Sequence, residues 1–200
     1  DWNPFFQVFQ LRGTYPNRNY PKLFKDPNVG QTAKETFDDA QKMLNEWMKD
    51  KTVEARGVVG FFKCNSNEED DIEIYDDDDS HIATLHGLRQ QQQQQTPSVE
   101  LQKFMCLSDF VAPKNAHKVR DYIGLFVVSA GFGITELCAD LKENKTDDYS
   151  ALLAQALADR LGEAFAEKMH FDARREFWGY EPMENEALSA TDLHKIKYQG

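Results

Sequence analysis

From Thr32 to about Asp50 the apolar positions Ala33, Phe37, Ala40, Leu44, Trp47 and Met48 recur every three or four residues, which predicts an amphipathic helix. Thr32 and Glu35 have the spacing of a capping box at its start. A longer run, from about Asp147 to Trp178, sets Leu153, Leu157, Leu161, Ala164 and Phe165 on one stripe and predicts a long helix near 147–178. Between these runs the period changes. Arg56 to Cys64 is a short apolar run that reads as a buried strand, and Asp71 to Tyr75 alternates Ile72 and Ile74 with polar neighbours. His81 to Leu88 is expected to pair with that second strand, and Phe104 to Val111 and Tyr122 to Ser129 are further strand candidates. A short helix is expected near Ile134 to Leu141, and another element begins at Ser189 to His194.

The first 28 residues follow neither period. Tyr15-Pro16, Tyr20-Pro21 and Asp26-Pro27 favour turns and extended segments. Trp2, Phe5, Phe6 and Phe9 make this an extended N-terminal arm that packs on the body. Residues 90–97, opening on the run Gln90 to Gln95, form a low-complexity surface insertion. Strands gathered in the middle with helices at both ends predict α+β architecture, a central and mainly antiparallel twisted sheet flanked by helices. No internal repeat is present, and residues 1–200 read as a single domain.

Charge narrows the function classes. A net charge of −11 argues against a general nucleic-acid binder, which needs a basic face, and favours cationic partners unless local basic patches intervene. No apolar run approaches the ~20 residues that span a bilayer. Three widely spaced cysteines, Cys64, Cys106 and Cys138, fit reduced core thiols in a cytoplasmic protein. The start at Asp1 and the stop at Gly200 read as cuts in a longer polypeptide.

Candidate chemistry is sparse. Asp159 and Glu163 lie one turn apart on the helix face opposite the apolar stripe, with His170 further along. Carboxylates so placed meet either water or a cation, and periodicity does not choose between the two. Glu167-x-x-His170 has the spacing of a di-metal bundle motif, but such a site needs two of these motifs. The acidic run Glu68 to Asp71, with Asp76 to Asp79, lacks the ligand alternation of a calcium loop and reads as a solvated hairpin end. Gly131-Phe132-Gly133 lacks the third glycine of a dinucleotide fingerprint and reads as a tight turn.

Several segments together carry a resemblance. They are Asp1-Trp2-x-Pro4-Phe5-Phe6, Arg56-Gly57-Val58-Val59-Gly60, Asp70-Asp71-Ile72, Leu88-Arg89-Gln90-Gln91 and Cys106 to Pro113. Asp121-Tyr122-Ile123-Gly124, Asp147-Asp148-Tyr149 and Ala156 to Glu167 with His170 continue the series. In this order they resemble the C-terminal activation domain of cobalamin-dependent methionine synthase over nearly the whole chain.

The resemblance implies a helmet-shaped α+β domain that binds S-adenosylmethionine and caps a cobalamin-binding domain of the same polypeptide. It also implies a role in reductive activation. Cobalamin stranded as cob(II)alamin takes one electron from flavodoxin or a diflavin reductase and is remethylated from S-adenosylmethionine. By the same resemblance Asp1 contacts the α-amino end of S-adenosylmethionine, and Glu163 lies near that ligand. Asp159 matches the aspartate that engages the histidine released from cobalt, which couples capping to protonation of an imidazole. The family's arginine-x-x-x-glycine-tyrosine ligand motif begins beyond the residue matching Gly200, so the domain is expected to be incomplete at its C-terminal end. A reading of a different class is a non-catalytic docking module that presents acidic helix faces to a redox partner.

Overall fold

The structure, a computed structural model, describes residues 1–92, 104–115 and 119–181. The predicted element at Ser189 to His194, and most of the low-complexity insertion, lie outside the described residues. The chain divides into two compact units, Asp1–Val58 with Val127–Tyr180, and a second that contains Val59–Phe126. The order of elements is α1 (Asn3–Val8), α2 (Gly30–Asp50), β1 (Glu54–Ser66), β2 (Ile72–Tyr75), β3 (His81–Leu85), β4 (Asp121–Phe132), α3 (Ile134–Ala139) and α4 (Asp148–Asp172). The strands form one sheet in the order β3-β2-β1-β4, and the division between the units falls within β1 and β4. The architecture is α+β, as the pattern of periods predicts.

In the first unit the apolar stripes of α2 and α4 do what their periodicity requires. Phe5, Phe6, Leu23, Leu153 and Leu157 are almost fully buried, and the fully buried Ala33, Ala40 and Ala154 are small enough to bring helices close. Asp147 caps α4, its Oδ1 accepting from the Ser150 N–H at 2.9 Å. After α4, a wide turn at Ala173–Phe177 carries the chain to Trp178.

Two local expectations change here. Residues 3–8 are helical where an extended arm was expected, because Pro4 sits in the first turn, where its missing N–H removes no helical bond. Likewise α2 begins at Gly30 without the capping box at Thr32; Thr36 Oγ1 instead donates back to the Thr32 carbonyl at 2.9 Å. Asp26 does the capping work. Its Oδ1 accepts from the N–H groups of Asn28 and Val29, its Oδ2 accepts from Thr14 N–H and Oγ1, and its carbonyl accepts from Gly30 N–H.

These bonds hold the Asp26 carboxyl down at about 2, with Thr14 N–H the largest cause and Asn28 and Val29 N–H next. A depressed carboxyl contributes stability that is present above its unfolded value and is lost as pH falls through its folded one. Asp26→Asn is therefore expected to lower the melting temperature by about 5–10 °C at pH 6. The gap between variant and parent should close as pH falls from 4 to 2. A gap that stays constant over this range rules out the charged clamp.

In the second unit β1, β2 and β3 pair antiparallel, with Cys64 opposite Ile74 and Ile72 opposite Leu85. Ile72, Ile74 and Cys64 are buried, as alternation along β2 predicts. Burial, followed by the nearby Asp121 carboxylate, pushes the Cys64 thiol up to about 11, so it is inert at neutral pH. All three cysteines are free thiols; Cys64 and Cys106 are buried and Cys138 half-buried.

The expected strand from Phe104 to Val111 is instead a 3₁₀ turn at Leu107–Phe110. Asp109 reaches back to the Cys106 N–H at 2.9 Å and its own N–H bonds the Cys106 carbonyl, which folds the segment on itself.

Candidate functional site

Asp1 is placed by its neighbours. Trp2 packs edge-on to Phe5 and Phe37 at centroid distances of 5.2 and 4.7 Å, which anchors the start of α1 on the first unit's aromatic core. Asn3 then donates both its backbone N–H (2.9 Å) and its side-chain amide (2.7 Å) to Asp1 Oδ1. The Asn3 side-chain oxygen Oδ1 accepts from Tyr20 N–H at 2.8 Å, tying this turn to the following loop. Asp1 remains exposed, with its carboxylate oriented by an Asx-type turn. Sequence reasoning missed Asn3, although Asp-x-Asn ahead of a helix is a legible signal for such a turn.

Asp159 and Glu163 sit on the exposed face of α4 and make no hydrogen bond or ion pair with any described residue. The opposite face of α4 carries Leu161, Ala164 and Phe165, which line an apolar cavity of about 450 Å³ with Trp47, Val53 and Ala130. The helix therefore separates an apolar side from a side with two carboxylates that no described residue neutralises. Elsewhere on α4, Lys168 pairs with Asp172 at 2.6 Å and Tyr149 donates its hydroxyl to Asp39 at 2.9 Å. Among the described residues no three His, Cys, Asp or Glu side chains converge as metal ligands. Gly133 closes the β4 turn at φ +94°, and a Cβ there would lie 2.4 Å from the Thr52 carbonyl oxygen.

The acidic hairpin end in the second unit is only partly solvated. Asp76 Oδ1 accepts from the Asp78 and Ser80 N–H groups and closes the β2–β3 turn. Asp70 and Asp71, by contrast, are structural. The Arg89 guanidinium bridges Asp70 and Asp109, with Nε 2.9 Å from Asp70 Oδ2 and Nη2 2.8 Å from Asp109 Oδ1. It also donates to the Phe104 carbonyl.

This fork holds the carboxyls of Asp70 and Asp109 below their ordinary range, Asp109 at about 2, and raises Arg89. Asp71 accepts from Gly87 N–H at 3.0 Å and meets His86 Nδ1 at 2.8 Å. Lys114, the largest cause, and the Tyr75 hydroxyl likewise hold Glu73 at about 2. Three separate segments of the resemblance thus meet at Arg89, which fastens loops together.

The chain matches, over residues 1–200, the family described as vitamin B12 dependent methionine synthase, activation domain. Among solved structures, the MetH reactivation domain bound to AdoHcy is 44% identical and superposes with a TM-score of 0.83. That match covers 100% of this chain and 57% of the other. A family match over the whole chain and this degree of identity agree with the α+β fold: the chain belongs to the activation-domain family of vitamin B12 dependent methionine synthase.

Proposed function

We propose that this chain forms one wall of an S-adenosylmethionine site and acts in the reductive activation of a cobalamin held by a neighbouring domain of the same polypeptide. The observation that carries the reading is the AdoHcy bound to the 44% identical relative. AdoHcy is S-adenosylmethionine without its transferable methyl group, so the two share an amino-acid end and an adenosine.

The residues here fit the cationic parts of such a ligand. Asp1 has an exposed, pre-oriented carboxylate, and Asp159 and Glu163 are exposed acceptors with no cation among the described residues. Asp1 accepts the α-ammonium group in a charge-assisted hydrogen bond, and Glu163 adds negative potential near the sulfonium. Asp159 takes the protonated imidazole that the cobalamin domain presents when it is capped, biasing the polypeptide toward the capped state. When bound, S-adenosylmethionine supplies an electrophilic methyl group and the cobalt of cobalamin the nucleophile, after one electron from a flavodoxin or diflavin reductase. The protein's part is positioning, which means holding the donor and excluding alternative geometries. The setting is cytoplasmic, and no helix of the described residues is long and apolar enough to cross a membrane.

Calorimetric titration of S-adenosylmethionine tests this in the present chain and in one extended past Gly200 through the arginine-x-x-x-glycine-tyrosine segment. In the extended chain Asp1→Asn is expected to weaken binding about tenfold, in line with the ~1.5 kcal/mol of a hydrogen bond to a charged group. Glu163→Gln should weaken it by a smaller factor. Asp159→Asn should leave it unchanged while reducing association with the cobalamin-binding domain. Equal affinities for the parent, Asp1→Asn and Glu163→Gln proteins would overturn the assignment.

A further inference from the structure

The segment from Gln10 to Lys25 is locally basic in an acidic chain. It contains Arg12, Arg18, Lys22 and Lys25 and no acidic residue, while the whole chain carries −11. The nearest carboxylate in sequence, Asp26, already receives four hydrogen bonds on its two oxygens. Between this loop and α1 lies a cleft of about 200 Å³, lined by Arg12, Arg18, Asn19, Gln7 and Asn3, with Leu23 among its apolar walls.

Neither Arg12 nor Arg18 makes a hydrogen bond or ion pair through its guanidinium with any described residue. Three other arginines behave differently: Arg56 pairs with Glu54, Arg89 with Asp70 and Asp109, and Arg120 with Asp79.

The backbone beneath the two side chains is held firmly. Leu11 N–H bonds the Phe6 carbonyl, Arg12 N–H the Gln10 carbonyl, and Leu23 N–H the Asn19 carbonyl, at 2.8 to 3.0 Å. Gly13 is so closely wrapped that a Cβ there would lie 2.1 Å from the Asn17 carbonyl oxygen. Ordering of the loop is therefore already complete before any ligand arrives, and only the arginine side chains lose freedom on binding. Two guanidinium forks, with the amides of Gln7 and Asn19 beside them, are donors without acceptors among the described residues. Planar forks of this kind match oxyanions. The volume lies below the ~300–1,000 Å³ of whole-cofactor pockets, so the cleft accommodates a single charged group.

We propose that this cleft is a phosphate-type oxyanion site, held by Arg12 and Arg18. The oxyanion comes either from free inorganic phosphate or from the terminal phosphate of a nucleotide. The site is independent of the methyl-donor reading, since it takes an anion where Asp1 takes a cation.

The test is a heteronuclear NMR titration that follows the Gly13 and Asn19 amides and the arginine Nε–H signals. Its arms are inorganic phosphate, adenosine monophosphate, and chloride at matched ionic strength. Saturable shifts at millimolar phosphate, absent in chloride, are expected. Adenosine monophosphate shifting the same signals at lower concentration identifies the nucleotide as the source, and equal midpoints identify free phosphate. Both arginines are exposed, so Arg12→Gln and Arg18→Gln should keep the parent melting temperature while each weakens binding about tenfold. Shifts that track ionic strength in chloride, or that survive in the double variant, overturn the proposal. So does a glutamate-rich peptide that moves these signals where phosphate does not.

Discussion

Replacing Phe5 with alanine is expected to remove about 3–5 kcal/mol of stability. Phe5 has no exposed surface and sits at the centre of an aromatic cluster. Its ring lies 5.2 Å from Trp2, 5.5 Å from Phe6 and 5.3 Å from Phe9, in edge or tilted geometries that add to simple burial. It joins α1 to the core that contains Leu153 and Leu157 of α4 and Trp47 of α2. A cavity there cannot be refilled cheaply, because its neighbours are themselves rings held in place by other rings. Against a typical stability of ~5–15 kcal/mol the loss is a large fraction. Urea denaturation of the parent, Phe5→Ala and Phe5→Leu proteins tests it, with leucine expected to lose less than half as much. A loss below 1 kcal/mol for alanine would mean that α1 docks without closing this core.

The helical and strand periods were legible wherever one face is buried against a single partner layer. That is why α2, α4 and β2 appear within a few residues of their expected positions, whereas β1, expected to be buried from Arg56 to Cys64, is in place but exposed from Glu54 to Val58 and buried only from Cys64 on. Signals that depend on side-chain-to-backbone bonds across a gap were not legible. The cap of α2 comes from Asp26, four residues before the helix, because the carboxylate reaches Thr14 as well, and no local pattern encodes that partner. The apolar residues from Phe104 to Val111 have strand composition, yet Asp109 in their midst folds them through Cys106 and Arg89. Composition sees the six apolar residues and weighs the one aspartate too lightly. Asp70 and Asp71 were misplaced for the same reason, since a charge run reads as solvated unless the cation that meets it is nearby in sequence. Arg89 is nineteen positions away. The residues proposed for the site were singled out through resemblance alone. Geometry then adds what resemblance omits, namely that Asn3 orients Asp1 and that two arginines face a cleft beside it.

Gly87→Ala should destabilise the second unit by about 2–3 kcal/mol, although the residue lies in no regular element. A Cβ at this position would stand 2.1 Å from the Asp70 carbonyl oxygen and 2.9 Å from Cys106 Sγ. Neither neighbour can yield. Asp70 occupies a left-handed conformation at φ +67°, already unfavourable for a residue with a Cβ, and the Arg89 fork holds its carboxylate. Cys106 is buried beneath it, with its N–H fixed to Asp109. The clash must therefore push Gly87 outward and break its N–H bond to Asp71 Oδ1, leaving a mostly buried carboxylate short of a donor. Gly162, within α4 and with nothing within 4 Å of its would-be Cβ, is the control. There alanine should stabilise by up to about 1 kcal/mol through helix propensity. Opposite signs for the two substitutions, read from denaturant midpoints, show that space and not glycine's flexibility decides position 87. If Gly87→Ala unfolds at the parent's midpoint, the Asp70–Arg89–Asp109 hub is soft enough to give way and does not fasten these loops.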